Sequence, residues 1–207
     1  SECLQMLRVL QRAHWNDTVR KLKSPLYSPH TVCFQTLPDH WELVSRLGQS
    51  SLKSNVNLLP SGDFDSIDTM LADGWRHEQR TNSGIRAATE LYPRPHGGTH
   101  CLRLVAVPET NHDLPGVVTE RPVTVTSPPI QVNAGQIIHV SGFARMAAPS
   151  VGSLDGAMLY DSLVGQTGAL RWQTNTDWQP FELLREAATD GEFTLTLTLT
   201  GLGEILF

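Results

Sequence analysis

The sequence has little that would serve a charged partner or a membrane. Lys and Arg number 16 against 21 Asp and Glu, a formal net charge of -5. With no basic excess to neutralise a phosphate backbone, a nucleic-acid partner has no electrostatic support. No stretch approaches the roughly 18 consecutive apolar residues that span a bilayer, so membrane insertion is not expected. The opening SECLQMLRVLQRAHW is amphipathic and lacks a basic leader ahead of an apolar block, which places any secretion signal of a parent protein upstream. Three cysteines, Cys3, Cys33 and Cys101, are too few and too scattered for a disulfide framework or a zinc motif. Cys3 and Cys33 could pair, but three free or buried thiols are the simpler reading. Aromatic residues make up only 7% of the chain, which limits any stacking surface to a small or shallow cleft.

Catalytic signatures are also missing. No G-x-S-x-G phrase or Cys/His signature presents a nucleophile beside a base, and no Gly-rich loop runs from a strand into a helix to cradle phosphate. The HGGTH segment, His96 to His100, spaces two histidines as a zinc helix would. Its glycines and the preceding Pro95 make it a loop with solvated histidines instead. Glycoside hydrolysis needs two carboxyl groups about 5 to 10 Å apart across a cleft. Asp155, Asp161, Glu182 and Glu186 are candidates, yet carboxylates on sheet edges and loops are ordinarily just solvated. The chain is therefore read as no enzyme.

What the sequence does contain is a change of period. In residues 1–52, Leu4, Leu7, Leu10, Val19 and Leu22 recur at helical spacing until Ser24-Pro25. A second helix is expected with Thr36 as cap, Pro38 in its first turn, Trp41, Val44 and Leu47 on one face and Gly48 as its stop. Two helices this short must bury their apolar faces on another body, either the rest of this chain or a neighbouring domain. From residue 53 to 207 the period is two. NVNLLPSGDF reads as a strand running into a Pro-Ser-Gly turn. GIRAATELY, HCLRLVAV, VTVTSPPIQV, QIIHVSGFARM, GAMLYDSL, ALRWQT, WQPFELLREA, EFTLTLTLTG and GEILF follow as short runs divided by Gly, Pro, Asn and Asp. Nine or ten strands without room for crossover helices predict an antiparallel β-sandwich of the jelly-roll type. In EFTLTLTLTG, Leu195, Leu197 and Leu199 are expected to face the core, and Thr194, Thr196, Thr198 and Thr200 the solvent.

Several phrases of this second region resemble the carbohydrate-binding modules of the family 4/9 type, the galactose-binding-like jelly rolls. The run Asn57, Leu58, Leu59, Pro60, Ser61, Gly62, Asp63, Phe64, Asp65 is similar to that family's opening phrase, with Ser61 where Asn is usual. SPPIQVNAGQIIHVSGFAR resembles its central passage, TDWQPFELL its Trp-x-x-Phe phrase and TGLGEILF its final strand without the usual acidic continuation. The resemblance implies a non-catalytic module that binds a polysaccharide or oligosaccharide. It would belong to a larger, exported bacterial protein, lie in the extracellular space or cell envelope, and have neighbouring domains as further partners. It also implies a structural calcium ion where the first and last strands meet. Asp63 or Asp65 would be its side-chain ligand, completed by a later acidic residue.

Sugar binding needs an aromatic face against the apolar side of a pyranose and flanking groups that hydrogen-bond its hydroxyls. The aromatic candidates are Trp75, Tyr160, Trp172 and Trp178. Trp178 reads as packing, Trp75 as half-exposed at best, and Trp172 as facing either core or ligand, opposite Arg171 and Gln173. In IIHVSGFARM, Ile138, Val140 and Ala144 point inward, and His139, Ser141, Phe143 and Arg145 point the other way. The expected site is a groove in which Arg145 and His139 meet Tyr160, Asp161 and Trp172. The alternative is a solvated face on a structural or protein-interaction sandwich without a sugar ligand.

Overall fold

The computed structural model describes residues 57–207 except 81–83, 94, 111–115 and 119. The two expected N-terminal helices, and with them the first segment of the chain, lie outside the described residues. So do Cys3 and Cys33.

The described chain is a β-sandwich, entirely antiparallel in its pairings. One layer orders its strands β1 (Arg76–Gln79), β4 (Val123–Thr126), β11 (Leu195–Leu199), β7 (Ala157–Asp161) and β8 (Leu170–Trp172). The other orders β2 (Ile85–Tyr92), β3 (Cys101–Pro108), β12 (Leu202–Leu206), β6 (Ile137–Val151) and β9 (Gln179–Glu186). A small ribbon pairs β5 (Ile130–Val132) with β10 (Gly191–Phe193). The chain passes repeatedly from one layer to the other, so strands close in sequence often lie in different sheets.

Alternation explains the layers. Leu195, Leu197 and Leu199 of β11, Val123 and Val125 of β4, and Leu102, Leu104 and Ala106 of β3 share one core with Ala144 and Met146 of β6 and Phe181 and Leu183 of β9. Each is an every-second-residue set, as a half-buried pleat requires. Ile138, Val140 and Ala144 point into this core as expected, while His139, Ser141 and Phe143 are exposed. Trp172, Phe181 and Phe207 meet edge to face at its centre, with centroid separations of 5.6 to 6.4 Å.

Four expectations change. The opening phrase is no strand: Leu59–Asp63 is a turn in which Gly62 N–H donates to Leu59 O, and Ser61 and Phe64 adopt φ of 49° and 57°. A short helix, α1 (Ile67–Ala72), follows, capped by the Ser66 side chain accepting from Thr69 N–H. EFTLTLTLTG is two strands, because the chain leaves the ribbon at Thr194 and joins the five-stranded sheet at Leu195. β1, of sequence RHEQ, belongs to no expected run, because all four of its residues are exposed on an edge and carry no apolar period. Finally, the threonine face of β11 is only partly wet. Thr198 is fully buried in mid-sheet, where its hydroxyl donates to Val123 O at 2.8 Å and lies 3.0 Å from that of Thr124.

Candidate functional site

The outer surface of the β1-β4-β11-β7-β8 sheet carries a polar groove of about 460 Å³, lined by Glu78, Arg80, Glu120, Arg121, Thr124, Thr126, Tyr160 and Thr196. Its floor follows from pairing register. Thr196 stands opposite Thr126 on one side and Tyr160 on the other, and Thr124 stands opposite Glu78. Residues directly opposite in a sheet project on the same face, so the alternation of VTVT and TLTLT builds a row of hydroxyls beside one phenol.

Tyr160 is fixed there. Arg121, just before β4, donates from Nη1 to the Tyr160 hydroxyl at 2.9 Å, with its guanidinium carbon 5.8 Å from the ring centroid. Among the described residues Arg121 has no carboxylate partner; the nearby Arg80 and Glu120 pair with each other at 3.4 Å, both well exposed. The groove therefore offers an aromatic face with a cationic clamp, hydroxyl donors and acceptors, and carboxylates at its rim. These are the groups that bind polyhydroxylated molecules.

The expected sugar site is not assembled as a unit. Tyr160 lies in the groove, whereas Asp161, one residue on, turns inward. Its Oδ2 accepts from Arg185 Nε at 2.7 Å and its Oδ1 from the N–H groups of Leu163 and Val164. Trp172 is 2% exposed and packs in the core. Trp75, expected to be half-exposed at best, is buried, and its Nε1 donates to Pro60 O at 2.8 Å. Arg145 and His139 stand on β6, on the outer face of the opposite sheet. There Arg145 approaches Asp177 at 3.8 Å and His139 approaches Glu182 at 3.9 Å. The groove residues Arg121 and Glu78 escaped the sequence reading because β1 has no apolar period and Arg121 sits in a connection, whereas Thr196 was expected only to face solvent. The alternating threonines were the one available signal.

The carboxylates weighed for hydrolysis are dispersed. Asp155 pairs with Arg171 at 3.1 Å, Asp161 is buried, and Glu182 and Glu186 are on β9 of the other sheet. The turn expected to hold calcium engages one of its carboxylates within the protein. Asp65 Oδ1 accepts from both the Thr99 hydroxyl (2.6 Å) and Thr99 N–H (3.2 Å), bonds that hold its carboxyl below the usual range. Among the described residues no three His, Cys, Asp or Glu side chains converge. No described helix is long and apolar enough to cross a membrane. HGGTH is a loop, as expected: His96 lies flat on Phe143 with centroids 3.5 Å apart, and His100 Nδ1 is 3.0 Å from the Thr99 hydroxyl. Cys101 is buried, its thiol donating to Tyr92 O at 3.4 Å.

No protein-family model and no curated protein sequence matches the chain. Among solved structures it is similar to the enzymatically active domain of bacteriophage CBA120 tailspike protein 4, at a TM-score of 0.41 and 10% identity over 73% of this chain and 20% of that one. It is also similar to an endo-1,4-beta-D-xylanase of Clostridium thermocellum, comprising CBM22-1 and GH10 modules and complexed with xylohexaose. There the TM-score is 0.36 and the identity 12%, over 65% of this chain and 25% of that one. The chain thus spans a quarter or less of the length of each. At these scores neither likeness bears on what this chain does.

Proposed function

We propose that the groove on the β1-β4-β11-β7-β8 sheet binds a glycan weakly and reversibly without cleaving it, holding a larger, exported protein close to its polysaccharide. The observation that supports this most is the Arg121–Tyr160 pair. A phenol ring pinned by a guanidinium at 2.9 Å has already lost the side-chain freedom that sugar stacking would cost it. Around it, Thr124, Thr126 and Thr196 present hydroxyls, and Glu78, Glu120 and Arg80 present charged partners, for the paired hydrogen bonds a pyranose makes. A sandwich whose strands already pair on both sides keeps this face rigid, so little ordering is needed on binding.

A glycan array followed by titration calorimetry tests the reading. Binding by the wild-type chain and its loss in Tyr160→Ala, with the unfolding midpoint little changed, is the expected result. Absence of any ligand, or equal binding by the variant, sinks it.

A further inference from the structure

The strands that end the two layers are not alike. β1 and β8 are four and three residues long, and β9 carries Pro180, which has no N–H to offer a neighbour. β2 ends its layer with eight residues, Ile85–Tyr92, that include no Pro, Gly or Lys. Its register with β3 is unbroken from Ile85 opposite Pro108 to Tyr92 opposite Cys101. Among the described residues no strand pairs with its other side. Short length, Pro, Lys and bulges are the means by which sheets close their edges to further pairing, and β2 uses none of them.

Which groups of β2 face the open side follows from its bonds to β3. Gly84 O accepts from Glu109 N–H at 2.8 Å, whereas Pro108, opposite Ile85, has no N–H to give. Leu102, opposite Leu91, exchanges both its backbone bonds with Phe207. Backbone groups of an antiparallel strand alternate between its two neighbours. Arg86, Ala88 and Glu90 therefore bond β3, and Ile85, Ala87, Thr89 and Leu91 turn N–H and C=O to the open side. Beside this edge stand two charges of opposite sign. Arg86 is exposed and has no partner among the described residues. Glu90 is 46% exposed and accepts from Arg103 on Oε1, which leaves its Oε2 open. Ile67 and Leu71 of α1, 40% and 49% exposed, share a pocket of about 50 Å³ with Thr89 of the same strand.

We propose that this edge joins a second copy of the chain, β2 pairing antiparallel with β2 about a two-fold axis at Ala88. A two-fold interface has to be complementary to itself, and the charges of β2 meet that condition in one register. With the axis at Ala88, Arg86 of each copy stands opposite Glu90 of the other, in the close, non-hydrogen-bonded type of pair. Small Ala88 side chains meet on the axis. Ile85 then stands opposite Leu91 and Ala87 opposite Thr89, and these are the residues whose backbone groups point outward, so the whole edge is satisfied. An axis at Arg86 or Glu90 would set like charges face to face. One at Ala87 or Thr89 would leave both charges opposite uncharged residues. The pair joins two five-stranded layers into one continuous sheet.

The test is sedimentation equilibrium of the full chain with two charge variants. Wild type is expected to dimerise reversibly. Arg86→Glu sets Glu against Glu and Glu90→Arg sets Arg against Arg, so each variant alone is expected to associate roughly tenfold or more weakly. An equimolar mixture of the two restores both opposite-charge pairs and is expected to recover the dimer as a heterodimer. A wild-type chain that stays monomeric up to about 1 mM overturns the proposal. So does a dimer that both variants leave intact, or a mixture of folded variants that does not recover it. Amide hydrogen exchange of the wild-type chain decides the matter without a variant. Raising the concentration is expected to slow exchange at Ala87, Thr89 and Leu91 by roughly tenfold or more, and to leave Ala88 and Glu90, already bonded to β3, unchanged. A dimer that protects none of the three outward amides has its interface elsewhere and overturns the proposal.

Discussion

Arg185 of β9 reaches across the sandwich to Asp161 at the end of β7, and its Nε donates to Asp161 Oδ2 at 2.7 Å with both side chains buried. The two residues belong to different sheets, so this ion pair ties the layers together. The other two guanidinium nitrogens are bonded as well: Nη2 donates to Gly168 O at 2.7 Å and Nη1 to Leu184 O at 3.0 Å. Asp161 in turn holds the turn at Leu163 and Val164 through their N–H groups. Each guanidinium nitrogen and each carboxylate oxygen thus carries at least one hydrogen bond, as a buried pair requires to persist.

Removing one partner leaves the other charged, buried and unpaired. Arg185→Met or Asp161→Leu is therefore expected to lower stability by about 3–5 kcal/mol in urea unfolding, and the double variant to recover much of that loss. Single losses below about 1 kcal/mol, the figure for an exposed pair, would show that the bridge does not hold the layers.

Asp65 carries a pH dependence. The Thr99 hydroxyl, then the Thr99 N–H, hold its folded pKa below the ordinary value of 3.8. A depressed carboxylate pKa contributes stability that is fully present above the unfolded value and lost as pH falls through the folded one. Thr99→Val is expected to move the Asp65 titration upward, followed by NMR of its carboxyl carbon. It should also lower stability near neutral pH, with the difference from wild type vanishing in strong acid. An Asp65 titration that stays put in the variant would contradict this.

Tyr160 and Trp172 separate ligand contact from packing. Tyr160→Phe keeps the ring but releases Arg121, so glycan affinity is expected to fall about three- to tenfold in calorimetry with little effect on stability. Trp172→Ala opens the centre of the core and is expected to cost about 3–5 kcal/mol in unfolding. If Tyr160→Phe proved the more destabilising of the two, their assignments would have to be exchanged.

Two glycines isolate the effect of close approach. Gly156 has φ 70°, and a Cβ there would run into the Trp172 carbonyl oxygen; Gly84 has φ 81° and open space around it. Gly84→Ala is expected to cost about 1–2 kcal/mol, the left-handed backbone alone. Gly156→Ala should cost more, because the β7–β8 pairing must also shift. Equal thermal midpoints for the two variants would mean that β8 gives way freely.

Elements with a strong local period were legible from the residues. β3 from Leu102 onward and β4 alternate in burial, β11 alternates Leu and Thr, and in β6 the inward set Ile138, Val140 and Ala144 is the observed one. β1 was not legible, because an exposed edge strand such as RHEQ has nothing to alternate. Nor was the turn at Ser61 to Phe64, whose apolar residues mimic a strand. Of the expected sugar-site residues, Tyr160 lies in the groove, while Arg145 and His139 stand on the opposite sheet.

By itself, then, the order of amino acids determined that most of the chain from Ile85 onward forms pleated, half-buried strands and which side of most of them is apolar. Period-two burial is a property of neighbours along the chain. Which strand lies beside which was decided only by tertiary structure, because pairing joins residues far apart in sequence, such as Thr124 and Thr198 or Leu102 and Phe207. That pairing set Arg121 against Tyr160 and sent Asp161 inward to Arg185.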